Sequence, residues 1–220
     1  MLSHDLRCIF VHIQKTGGSS IRHALHWGHE DADKHRLARE LRVAYGDSCW
    51  NSYFKFAFVR NPWDRLVSWW RMIEQSAASG RPLYGFWGFI LSRANSFEEF
   101  LMNCDEEYHD KDGAKWIFRN QLDHVSDANG IIVDFVGRCE RLQQDFAVVA
   151  SRLGLPPMQV PHINRSEHRH YSEYYSEATR ALVAARFARD IEAFGYSFEQ
   201  SPVSAIPTSP LRRTSAPRSG

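Results

Sequence analysis

The sequence predicts an α/β fold with a mainly parallel central sheet flanked by helices. Three observations carry that expectation. Apolar runs of strand length alternate with stretches of helical spacing. Two of the strand ends run straight into Gly- or Pro-bearing segments that open helices. The length, 220 residues, suits one domain with a sizeable core.

In chain order, residues 8–13 (Cys-Ile-Phe-Val-His-Ile) read as a buried strand, followed by a Gly-Ser loop and a helix over about 20–27. Residues 30–45 are charged, with Leu37, Leu41 and Ala44 at helical spacing. Residues 54–59 (Phe-Lys-Phe-Ala-Phe-Val) form a second strand. Pro62 then stands at a favoured first helical position. Trp63, Leu66, Val67, Trp70 and Ile73 follow on one 3.6-residue stripe. The Gly- and aromatic-rich residues 79–95 read as loop with a short helix, and Ser96 with Glu99 has capping-box spacing. A third strand is predicted over 131–136, a helix over 140–153 closed by Gly154, and a long helix over 177–194 stopped at Gly195. Residues 1–200 make the domain. From 201 to 220 the chain is Ser-, Pro-, Thr- and Arg-rich and reads as a disordered tail.

Composition narrows the function. Hydrophobic residues make up 43% and charged residues 24%, as in soluble globular domains. The net charge of +1 excludes a whole-molecule field that gathers nucleic acid or membrane, so any anion site is built locally. No stretch approaches the roughly 18 apolar residues of a spanning helix, and a cytoplasmic location is expected. The four cysteines, Cys8, Cys49, Cys104 and Cys139, show no C-x-x-C spacing.

Residues 15–20 (Lys-Thr-Gly-Gly-Ser-Ser) join the first strand to a helix. Gly17 and Gly18 allow a tight turn and close approach of a ligand. The helix start offers backbone N–H groups and partial positive charge. Lys15 adds a full charge, and Thr16, Ser19 and Ser20 add hydroxyl donors, which makes a cradle for phosphate or sulfate. The lysine precedes the glycines, so this is not the G-x-x-x-x-G-K order of nucleotide triphosphatases.

A second anion site is expected where Arg60 leaves the second strand. Arg65 and Ser68 share a helix face, read as pointing away from the tryptophan stripe. Arg60 can fork onto phosphate oxygens and Ser68 can donate a hydroxyl hydrogen bond. An ion pair with Asp64 is the alternative use of Arg60 or Arg65. Two anion sites at neighbouring strand ends suit a ligand phosphorylated at both ends.

These residues resemble a known family. Residues 10–19 (Phe-Val-His-Ile-Gln-Lys-Thr-Gly-Gly-Ser) are similar to the 5′-phosphosulfate loop of sulfotransferases that use 3′-phosphoadenosine 5′-phosphosulfate (PAPS). Residues 56–68 are similar to that family's 3′-phosphate motif. The carbohydrate branch, with heparan sulfate 2-O-sulfotransferases and bacterial relatives, is the nearest resemblance. Softer likenesses lie at 133–140, 162–166 and 190–196. The resemblance implies a P-loop-like, three-layer fold and in-line sulfuryl transfer from PAPS to a hydroxyl, with a carbohydrate preferred as acceptor. It places Lys15, Thr16, Gly17, Gly18, Ser19 and Ser20 on the 5′-phosphosulfate, and Arg60 and Ser68 on the 3′-phosphate. Gln14 and Ser19 depart from the family's usual proline and threonine.

Such a transfer needs a group to neutralise the leaving oxygen, for which Lys15 is placed, and a general base. No metal is required, and no His, Cys or Asp cluster has ligand spacing. Among 11 histidines, the family's base lies between the first helix and second strand, which favours His35, with His29 as the alternative. His12, inside the first strand, reads as structural. Residues 162–175, rich in His, Arg and Tyr, read either as a lid over the ligand or as a solvated connection. A metal-dependent nucleotide kinase and a non-catalytic nucleotide binder are the competing functions.

Overall fold

The computed structural model describes residues 1–27, 35–80, 84–110, 113–161 and 169–199. His29, the stretch 162–168 and the tail 201–220 lie outside the described residues.

The described strands, in chain order, are β1 (Leu2–Ser3), β2 (Cys8–Val11), β3 (Phe54–Val59), β4 (Tyr108–Asp110), β5 (Gly113–Lys115), β6 (Ser126–Asp127), β7 (Gly130–Ile131) and β8 (Phe135–Arg138). The helices are α1 (Gly18–Ala24), α2 (Ala38–Ser52), α3 (Pro62–Ala78), α4 (Phe86–Leu91), α5 (Phe97–Asn103), α6 (Gln121–Val125), α7 (Leu142–Arg152), α8 (Glu177–Arg186) and α9 (Ala188–Phe194). The main sheet has the order β1-β2-β3-β8. β2, β3 and β8 are parallel, and β1 adds an antiparallel edge.

Because side chains alternate across a strand, the sheet presents two apolar faces. Phe10, Phe56 and Phe58 meet Ile21 of α1 and Phe146 and Val149 of α7. Ile9, Val11, Ala57, Val59 and Val136 meet Ala38 and Leu41 of α2, Val125 of α6 and Phe194 of α9. Burial on both faces explains why these strands read as continuous apolar runs. A third cluster, beyond the sheet, gathers α3, α4, α5 and α8 around Trp63, Trp70, Phe100 and Phe187.

The mixed α/β fold and mainly parallel sheet match the expectation from sequence, and β3 has the anticipated bounds. Three elements differ. The third strand starts at Phe135 rather than residue 131. Ile131 instead pairs with Ser126, and Asp134 turns aside to accept from the backbone N–H of Lys55 at 2.8 Å. The helix expected over 177–194 breaks at Phe187 (φ −106°, ψ 23°) into α8 and α9. The break lets the carboxylate of Asp190 reach the backbone N–H groups of Gln121 and Leu122 at 2.8 and 2.9 Å. Finally, the Ser96 cap accepts from Glu99 N–H, but Glu99 reaches back to Asn95 rather than Ser96.

Arg65 is the main correction. It does not lie on a face turned from the core, nor does it pair with Asp64. The side chain is fully buried and donates to the carbonyls of Gln14 (3.2 Å), Arg119 (3.3 Å) and Ile117 (3.2 Å). α3 is enclosed on both sides, by the third cluster and by the loop after β2, so its polar face is buried as well.

Candidate active site

The loop between β2 and α1 lies at the carboxyl end of the parallel strands, where ligands of open α/β sheets bind. Gly17 has φ 86°, a left-handed conformation that costs any residue with a Cβ. Gly18 opens α1 at a contact so close that a Cβ there would fall 1.8 Å from Nε2 of His12. The loop therefore needs both glycines, one for its turn and one for its packing. The Thr16 hydroxyl faces inward and donates to the carbonyl of Ile13 at 2.8 Å, closing the strand end. The hydroxyl hydrogen of Thr16 is thus committed to the strand end and not turned outward as the sequence reading expected. Ser19 is exposed and Ser20 buried.

The half-buried Lys15 reaches α3, where its Nζ donates to the sulfur of Met72 at 3.4 Å. Burial, with Arg60 nearby adding, brings its ammonium down to about 8. Arg60, at the tip of β3, grips Asp64 with two parallel bonds of 2.8 and 2.9 Å. Its third contact runs from Nη1 to the carbonyl of Lys15 at 3.2 Å. Burial opposes the Arg60 charge, but Asp64, with Cys139 and Glu140 adding, more than offsets it, so the guanidinium stays charged. Asp64, Ser68 and Met72 are successive i, i+4 positions on α3. Ser68 therefore lies one turn from the partner of Arg60 and one turn from the partner of Lys15. Its hydroxyl makes no hydrogen bond among the described residues. The sequence-derived residues Lys15, Arg60 and Ser68 are thus brought to one place.

A model of the sulfotransferase family matches residues 1–197, a span that includes both motifs. This chain belongs to the sulfotransferase family. An uncharacterized protein of Archaeoglobus fulgidus is 26% identical over 136 residues, which cover 60% of this chain and 92% of that protein. No solved structure gives a significant match. Sulfuryl transfer is accordingly the general activity of this family.

In this sulfotransferase the carboxyl end of the central strand β3 is braced by residues that sequence reasoning passed over. Gln121 of α6 accepts from the backbone N–H of Arg60 at 2.9 Å and donates to its carbonyl at 2.8 Å. Asp190 of α9 holds Gln121 in turn. Burial raises the Asp190 carboxyl, while the N–H groups of Gln121 and Leu122 and the charge of Arg65 oppose that rise. Glu140 accepts from Asn61 N–H at 2.5 Å, and its carboxyl is likewise raised by burial. Cys139 lies under Gly17 beside these groups; burial pushes its thiol up to about 11, which leaves it unreactive. Asp134, just before β8, pairs with Lys55 at the opposite end of the sheet.

His35 does approach the loop. Its Nδ1 lies 3.1 Å from the backbone carbonyl of His12. A carbonyl only accepts, so Nδ1 carries the hydrogen and the lone pair of the neutral ring is on Nε2. Lys15 (φ 67°) and His35 (φ 76°) both hold left-handed backbone conformations, shared among the described non-glycine residues by Arg7 and His26. Such strain clusters at functional sites.

His124 on α6 was not singled out from sequence. Its ring is buried, and neither nitrogen has a hydrogen-bond partner among the described residues. Burial, with Arg65, Arg119, His35 and Arg39 adding, holds it well below the ordinary histidine range. A lone histidine in a short polar segment carries no periodicity that would have marked it.

In the described part of 162–175, Tyr171 is buried and Tyr174 and Tyr175 are half-buried, while Arg169, His170 and Glu173 are exposed. Tyr175 donates to the carbonyl of Trp63 at 2.9 Å, Tyr171 to that of Phe198, and His170 caps a 3₁₀ turn over Tyr171–Tyr174. Trp69 lies in the core against Phe86, while Trp87 and Trp116 are half-buried beside the same cluster. Among the described residues, no helix is long and apolar enough to cross a membrane.

Proposed function

We propose that this sulfotransferase takes its sulfuryl group from PAPS and passes it to a hydroxyl of a carbohydrate, releasing 3′-phosphoadenosine 5′-phosphate (PAP). One observation carries the reading of the donor. Lys15 after β2 and Arg60 after β3 are crowded at neighbouring strand ends, joined by the bond from Arg60 Nη1 to the Lys15 carbonyl, and Asp64 is the carboxylate that grips Arg60. A ligand with anionic groups at both ends relieves that crowding. The carbohydrate class rests on the resemblance of the two motifs to the heparan sulfate branch.

Residues 15–20 hold the 5′-phosphosulfate, through Lys15 and the N–H groups opening α1; Arg60 and Ser68 hold the 3′-phosphate. Bound PAPS supplies an activated sulfuryl group. Lys15 neutralises charge on the leaving phosphate oxygen. His35 accepts the acceptor's hydroxyl proton at Nε2, the nitrogen that the His12 carbonyl leaves with its lone pair.

Thermal shift and titration calorimetry with PAP, ADP and AMP test the donor reading, since a ligand that binds the native state raises its stability. PAP should raise the melting temperature well above the shift given by AMP. Equal shifts overturn the two-site reading. Transfer from radiolabelled PAPS to a panel of sugars, phenols, lipids and tyrosine peptides tests the acceptor class.

A further inference from the structure

The side chain of His12 stands between the anion loop and His35. Its ring is buried in β2's extension and stacks on Phe10, centroids 5.3 Å apart and planes 18° from parallel. Toward α1, its edge rests on the bare α-carbon of Gly18: a Cβ built there would meet Nε2 at 1.8 Å and Cδ2 at 2.1 Å. Toward the base, the ring of His35 lies 4.5 Å away, tilted by 48°. The backbone of the same residue accepts from His35 Nδ1 at 3.1 Å. One residue therefore contacts His35 twice, by carbonyl and by ring, while also touching the first residue of α1.

We propose that His12 is a positioning residue that couples occupancy of the anion loop to the orientation of His35. The inference rests on the reading of residues 15–20 as the donor loop and of His35 as the base. A donor seated on the loop bears on the first turn of α1, and thus on Gly18. Gly18 has no side chain to yield, so its movement passes to the flat, rigid imidazole. Phe10 backs that ring and keeps it from sliding away. The displacement is handed to His35, as expected of a close-packed interior that transmits strain rather than absorbing it. The carbonyl bond fixes which nitrogen of His35 is the base, and the ring contact fixes where that nitrogen points. A residue that merely filled space would have no reason to convey the state of the loop.

The test follows the His35 ring resonance in protein carrying isotope-labelled histidine, assigned with His35→Gln and titrated with PAP. In the wild-type chain, PAP should shift the His35 resonance. In His12→Ala, PAP should bind with nearly unchanged affinity while the His35 shift is lost, and kcat should fall by up to roughly 10²-fold with little change in KM for PAPS, the scale of a misplaced reacting group. His12→Asn, a smaller cut into the core, gives the same readout if the alanine variant does not fold. An undiminished His35 shift in either folded variant overturns the coupling, as does a wild-type His35 that ignores bound PAP. Failure of PAP to bind the wild-type chain is a different result, which overturns the donor reading itself.

Discussion

Arg60 donates through Nη1 to the backbone carbonyl of Lys15 at 3.2 Å. The two anion motifs, 45 residues apart in the chain, are therefore joined directly. The guanidinium assigned above to the 3′-phosphate in the proposed reading also supports the loop assigned to the 5′-phosphosulfate.

This dual contact sets the expectation for Arg60→Ala. PAP binding should weaken by about 1.5–3 kcal/mol, the scale of hydrogen bonds to charged groups. Adenosine 5′-phosphosulfate, which lacks the 3′-phosphate, should lose less, because only the loop support is missing. Calorimetry with both ligands decides; equal losses would place Arg60 away from the 3′-phosphate.

Lys15 gives a pH dependence. Its ammonium, brought down to about 8 first by burial and then by Arg60, is charged below that value and neutral above it. In the proposed reading, only the charged form attracts the 5′-phosphate of PAP. PAP affinity should therefore fall as pH rises through about 8. Lys15→Met should bind more weakly at neutral pH and lose that dependence. A wild-type affinity that stays flat across the alkaline range would show that Lys15 does not meet the ligand.

His35 is expected to act on the acceptor alone. His35→Ala should lower kcat by roughly 10²-fold or more, the usual scale for a lost general base, while PAP affinity holds. Near-normal turnover in a folded His35→Ala enzyme would transfer the role to another histidine, with His29 tested next.

His124 should limit stability in acid. In the unfolded chain it takes a proton near its ordinary value of 6.5, while in the fold burial and four neighbouring cationic or titrating groups hold it well below. The unfolded state then binds more protons, so stability falls as pH drops below about 6.5. His124→Phe should flatten that fall, measured by chemical denaturation at a series of pH values. An unchanged slope would mean that other groups govern the acid limb.

Much of this architecture was legible where local pattern and tertiary demand agree. β3 is apolar on both faces and ends three residues before Pro62, so its bounds could be read directly. The loop over residues 15–20 announced itself by glycine and charge. Periodicity failed where burial was polar. The spacing of Arg65 and Ser68 revealed a shared face but not that α3 is enclosed on that face as well. The break at Phe187 carries no glycine or proline. It arises because Phe187 packs beneath Arg65 and Asp190 must reach α6. β1, β4 and β5 are two or three residues long and exist only through their partners. Gln121 and His124 gain their significance from what is folded against them, which no window of sequence contains.

The bracing from the far end of the chain has a consequence for how the protein is made. Asn61, which caps α3, donates to the carbonyl of Ser197 at 2.9 Å across 136 residues. Asp190 fixes Gln121, and through it the backbone of Arg60. Both halves of the proposed donor site are translated well before the residues that brace them, with Asn61 and Ser197 separated by 136 residues. A nascent chain that stops before α9 carries these side chains without the contacts of Asp190 and Ser197 that brace them. On the proposed assignment of the donor site, its full bracing, and with it full affinity for PAP, comes only once residue 197 has been added.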